Sequence, residues 1–164
     1  MRLNFCYTAC DPNQTGPFLT PGEEGECMTV IVCVDDQGGM LFGGRRQSQD
    51  RLVREDILRE AAGRRLWMNE FSRRQFGRDE TDSIVTDENF LSRARPGDFC
   101  FVENVSLKPF AGRMKRVIVY RWNRVYPADR FLDLPLEDPV WKQTRREEFP
   151  GYSHPKITKE VYEG

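Results

Sequence analysis

The chain of 164 residues has one histidine, five cysteines and a formal net charge of only −1. Each scarcity excludes something. With charge so evenly balanced, a domain that binds polyanions over its whole surface is not expected, because its footprint would be basic. The longest hydrophobic stretch, Met28–Val34, is far below the ~20 residues that a membrane-spanning helix needs. Collagen-like, coiled-coil and disordered classes fail on composition. No GxxxxGK[ST] phosphate loop occurs. A single histidine cannot build a His/Asp-rich two-metal nuclease site, so a ribonuclease-type name finds no support in the residues. That histidine, His154, precedes Pro155 in a turn and has no Ser or Cys partner evident from sequence, so no nucleophile–histidine relay is expected. Cys6, Cys10 and Cys27 match no standard zinc spacing, and no metal site is expected. No apolar secretory segment precedes a cleavage site, which makes a reducing cytoplasm the expected setting and Cys33 and Cys100 small core residues.

Charge is abundant but unevenly spread. Residues 1–44 hold one Arg and six acids, whereas residues 45–78 hold ten Arg and five acids. Arg outnumbers Lys by 20 to 5. Such a segment either faces water or forks onto phosphates and carboxylates. Its most unusual stretch is GGRRQSQDR, residues 43–51, where two glycines give mobility and Arg45, Arg46 and Arg51 offer bidentate donors.

Residues 1–27 carry Pro12, Pro17 and Pro21 and no periodicity, and they read as a flexible tail or an over-extended start before a single domain at 28–164. From Met28 the pattern alternates. Thr29–Val34 reads as a buried strand and Asp50–Ala62 as a helix. Strand Arg65–Met68, helix Glu70–Phe76, strand Ser83–Val85 and a helix from Glu88 to Ala94 follow. Strand Phe99–Val102, a short helix Asn104–Phe110 and strand Arg116–Trp122 complete the alternation. Trp141–Phe149 and Lys156–Tyr162 are extended segments joined by a turn. The expected fold class is therefore α/β: three layers, a mainly parallel central sheet with short crossover helices, and an antiparallel hairpin at the C-terminal edge.

Three stretches resemble the dihydrofolate reductase fold family: VIVCVDDQGGM (residues 30–40), RRLWMNEFSRRQF (64–76), and RVIVYRWNRVYPADRFLDLP (116–135) followed by Trp141 and EEFPGYSHPKITKEVYE (147–163). They occur in that family's order, with a middle one helix–strand unit shorter. The resemblance implies a site at the carboxyl ends of the strands. It places Asp50 where the family keeps the acid that meets a pterin ring, and Tyr120 where it has a small hydroxyl residue. Helix capping by Asp50 and core packing by Tyr120 are the competing roles.

The family's motifs differ here. Gly-Arg-x-Thr is replaced by Asn69, Glu70, Phe71 and Ser72, and Gly-Gly by Glu103 and Asn104. A helix N-terminus attracts anions, and like charges about 4 Å apart repel by ~4 kcal/mol at an effective dielectric of about 20. Glu70 and Glu103 therefore argue against NADPH, and no cofactor is expected. The leading expectation is a divergent domain with a degenerate NADPH site that binds a small anionic ligand. Asp35, Arg45, Arg46, Trp67, Asn69, Glu70, Ser72, Glu103 and Asn104 are its candidate ligand-binding residues, and Asp50 and Tyr120 its candidate catalytic ones. One alternative is an NADPH-dependent reductase of dihydrofolate or a related pterin. Another is an RNA- or protein-interaction module using the Arg-rich surface.

Overall fold

The computed structural model describes residues 27–77 and 82–164. The tail reading for residues 1–27 thus lies outside the described residues except at Cys27, which is buried. Cys6 and Cys10 lie outside them as well.

The strands are β1 (Met28–Val34), β2 (Gly39–Phe42), β3 (Arg45–Arg46), β4 (Leu66–Met68), β5 (Ile84–Thr86), β6 (Phe99–Phe101), β7 (Met114–Arg121), β8 (Arg130–Phe131), β9 (Lys142–Phe149) and β10 (Ile157–Glu163). Helices α1 (Arg51–Glu60), α2 (Glu70–Arg73) and α3 (Phe90–Arg93) interrupt them, with a 3-10 turn at Lys108–Arg113. The seven-stranded sheet runs β5-β4-β6-β1-β7-β10-β9. Its first five strands are parallel, and β10 and β9 are antiparallel to what precedes them. This is the expected α/β architecture with its edge hairpin.

Alternation along β1 splits the core between the two sheet faces. Val30, Val32 and Val34 join Val117 and Val119 on one face. Ile31 joins Ile118, Tyr120 and the Val53 and Ile57 ridge of α1 on the other. A central strand flanked by parallel neighbours is covered on both sides, which is why it reads as a continuous apolar run. The edge strand β9 carries Arg145, Arg146, Glu147 and Glu148 on exposed positions, which discourages further strand pairing.

The helices are shorter than expected. α1 begins one residue late because Asp50 is its N-cap, its side chain accepting from Leu52 N–H at 2.9 Å. The turn expected over Asn104–Phe110 instead begins at Lys108, with a proline in its first positions. The 43–51 segment is not simply a mobile loop. Gly43 and Gly44, at φ +59° and +75°, make a two-residue hairpin turn that closes β2 onto β3. Positive φ at both central positions is the type I′ requirement. β2 also pairs with β8, forming a second, three-stranded sheet. Among the described residues, no helix is long and apolar enough to cross a membrane.

Candidate functional site

Two polar clusters stand out. The first is built on Asp50, which is 2 % exposed. Its Oδ1 accepts from the N–H groups of Leu52 (2.9 Å) and Tyr152 (2.8 Å). Its Oδ2 accepts from Ser153 N–H (2.9 Å) and Ser153 Oγ (3.2 Å), and lies 2.8 Å from His154 Nδ1. Burial alone would raise this carboxyl. The Tyr152 N–H, the His154 ring, and the Ser153 and Leu52 N–H groups outweigh that and hold it well below the usual carboxylate range. Gly151 permits the approach, since a Cβ there would come within 2.7 Å of Oδ2.

His154 is not the isolated turn residue that the sequence implied. Its ring stacks on Trp122 with centroids 4.7 Å apart, and Nε2 lies 2.8 Å from Ser48 Oγ and 3.4 Å from Tyr126 Oη. An ionised Asp50 accepts, so Nδ1 donates to it, and in that tautomer Nε2 is the acceptor for the Ser48 hydroxyl. The expectation that His154 lacks a hydroxyl partner is therefore corrected. Ser48 and His154 are 106 positions apart, and no spacing rule connects them.

The second cluster gathers at the carboxyl ends of β4 and β6. Arg46 grips Glu103 through Nε and Nη2, each at 2.9 Å, and Nη2 also donates to the Phe71 carbonyl at 3.0 Å. Its guanidinium lies 4.6 Å from the Phe71 ring centroid. Gln75 donates a further bond to Glu103 at 2.9 Å. Asn69 caps α2 by accepting from Ser72 N–H, while its amide donates to Asn104 Oδ1 at 2.8 Å. Ser72 Oγ is buried and has no hydrogen-bond partner among the described residues. Glu70 is exposed, and its N–H donates to the Glu88 carboxylate at 2.9 Å. Arg46, Asn69, Glu70, Ser72, Glu103 and Asn104 are thus brought to one neighbourhood, joined by Gln75 and Glu88, which the sequence reading missed. Both are ordinary surface residue types there, with no signal of their own.

Other candidates lie elsewhere. Asp35 organises a turn, accepting from the N–H groups of Gln37, Gly39 and Tyr126 and from the Gln47 amide. Trp67 donates its indole N–H to Asp98, just before the amino end of β6 and away from the carboxyl-end cluster. Arg45 is exposed on the β3 hairpin. Tyr120 is fully buried under α1 and donates to Asp56 at 2.6 Å, which also receives Lys159 Nζ at 2.6 Å. Burial and the Asp56 charge push the phenol far up. Of its two sequence roles, packing with a satisfied hydroxyl is what the geometry displays. Asp50 acts as the helix cap of α1.

No protein-family model matches the chain, and no curated protein matches it in sequence. The fold is nonetheless recognisable. It superposes on a dihydrofolate reductase from Enterococcus faecalis complexed with NADP(H) and RAB-propyl, with a TM-score of 0.60 and 10% identity over 85% of this chain and 96% of that one. The chain therefore has a dihydrofolate reductase-like fold, as its ordered segments implied.

That match also corrects the expectation of no cofactor, because the similar structure is one complexed with NADP(H). The charge argument behind the expectation is incomplete at Glu103, because it left out that residue's partners. Glu103 does not present a bare negative charge, since Arg46 and Gln75 are bonded to it. Within α2, the buried Ser72 hydroxyl is unused among the described residues. These residues fit an anionic group, although the Glu88 carboxylate on the Glu70 N–H would have to yield to it.

Proposed function

We propose that this domain binds a small anionic molecule where the carboxyl ends of β4 and β6 meet α2, with NADP(H) the first molecule to test. One observation carries the reading: separate segments deliver Arg46, Asn69, Ser72, Glu103 and Asn104 to this neighbourhood as a polar cluster at the strand ends. In open α/β sheets, ligands lie in the crevice outside those ends. Asn69, Ser72 and Arg46 are the residues that would hold the anion. Bound there, NADP(H) would supply hydride. Arg46 keeps Glu103 neutralised, and the Asn69–Asn104 bond fixes the α2 cap against the β6 end.

Titration of NADPH into the full chain, followed by nucleotide fluorescence, tests the proposal. Saturable binding is expected. Glu88→Gln should tighten it about tenfold, the change that ~1.4 kcal/mol of relieved repulsion produces. Absence of saturation by NADPH and by inorganic pyrophosphate, or a Glu88→Gln variant that binds more weakly, would overturn it.

A further inference from the structure

The first polar cluster has the connectivity of a charge-oriented nucleophile. Ser48 Oγ, His154 Nε2, His154 Nδ1 and Asp50 Oδ2 form a chain with both hydrogen bonds at 2.8 Å. We infer that Ser48, His154 and Asp50 form a nucleophile–base–carboxylate relay able to transfer a small acyl group from an ester to water.

Three further features support this. Asp50 is held by the backbone N–H groups of Leu52, Tyr152 and Ser153, so its orientation does not rest only on the ring it serves. Trp122 stacks on the imidazole and restricts its tilt, which keeps Nε2 aimed at Ser48. Ser48 is half-buried whereas His154 is buried, an order that leaves the hydroxyl as the member nearest solvent. Nucleophile and base within hydrogen-bond reach, with the base oriented by a third group, is the arrangement that activates a serine. It is recognised by geometry, and the fold is no guide to it.

The step balances without a cofactor. Ser48 Oγ forms a bond to the ester carbonyl carbon as its proton passes to His154 Nε2. The carbon–alkoxide bond breaks, and the alkoxide leaves as the alcohol with that proton. Water then attacks the acyl-serine, gives its proton to Nε2 and releases the carboxylic acid, and Ser48 is reprotonated. Asp50 acts through His154 and is a positioning residue.

An alkyl fluorophosphonate tests this on the full chain, because an activated serine forms a bond to phosphorus as fluoride leaves. Peptide mass spectrometry should locate the adduct on Ser48. Its formation should be at least ~100-fold faster in the native protein than in urea, the lower end of what a positioned base contributes. Ser48→Ala should abolish the adduct, and p-nitrophenyl acetate hydrolysis should fall with it. His154→Gln should slow labelling comparably if it folds; if it does not, the native-to-urea ratio decides. Labelling at Ser153 in place of Ser48, equal rates in native and denatured chain, or no adduct on a natively folded protein would overturn the proposal.

Discussion

Asp50 and His154 lie 104 residues apart in the chain, yet their side chains meet at 2.8 Å with less than a tenth of either residue exposed. This contact ties the start of α1 to the turn between β9 and β10. It therefore couples the first third of the domain to its C-terminal hairpin.

Acid should loosen that tie. Burial raises the Asp50 carboxyl, but the Tyr152, His154, Ser153 and Leu52 hydrogen bonds bring it well below its unfolded value. A depressed folded pKa means the stabilisation is complete above the unfolded value of about 3.9 and is lost as pH falls below it. Glu60 adds to the same trend. Burial raises its carboxyl, whereas Lys159 and Arg145 hold it low. Urea midpoints measured between pH 7 and pH 3 should fall, and Asp50→Asn should flatten the slope. An Asp50→Asn slope equal to that of the parent would disprove the assignment.

Gly151→Ala should destabilise the protein by about 1–3 kcal/mol, the usual cost of forcing extra volume into a packed site. The added methyl would meet Asp50 Oδ2 at 2.7 Å. Chemical denaturation measures this, and a neutral substitution would show that the turn has room to shift.

The Arg46–Glu103 pair makes a double-mutant cycle informative. Glu103 is 8 % exposed, so Arg46→Ala strands a mostly buried charge and should cost about 3 kcal/mol. Adding Glu103→Gln removes that charge and should restore part of the loss. Strict additivity of the two substitutions would show that the pair is not coupled.

Beneath α1, Tyr120 donates to Asp56, and Lys159 bridges Asp56 and Glu60. Lys159→Met should destabilise the domain by about 3–5 kcal/mol, since it leaves two partly buried carboxylates without their shared cation. Tyr120→Phe should cost only ~1 kcal/mol, as one hydrogen bond is lost and the ring stays. Thermal unfolding of the two variants should rank them in that order.

The central-sheet strands were legible in the sequence because burial on two faces writes itself as a local run, as in Met28–Val34 and the Val117–Tyr120 segment. The Asp50 cap was legible as well, since capping is settled within three residues. The hairpin at Gly43-Gly44 was harder to read. Its glycines fit mobility as well as a type I′ turn, and only the β2 and β8 pairing chooses between them. Glu103 was misjudged from its charge alone, because its Arg46 partner lies 57 positions away.

By itself, then, the sequence determined the seven strands of the central sheet and their alternation with helices, but not the short strands β2, β3 and β8 of the second sheet. These properties follow from short-range periodicity and local backbone preference. Tertiary structure alone decided which polar groups neutralise one another. It brought Ser48 and Asp50 to His154 across more than a hundred residues and set Arg46 on Glu103. Hydrogen bonds and ion pairs act over a few ångströms of space whatever the separation along the chain, so a one-dimensional pattern carries no mark of them.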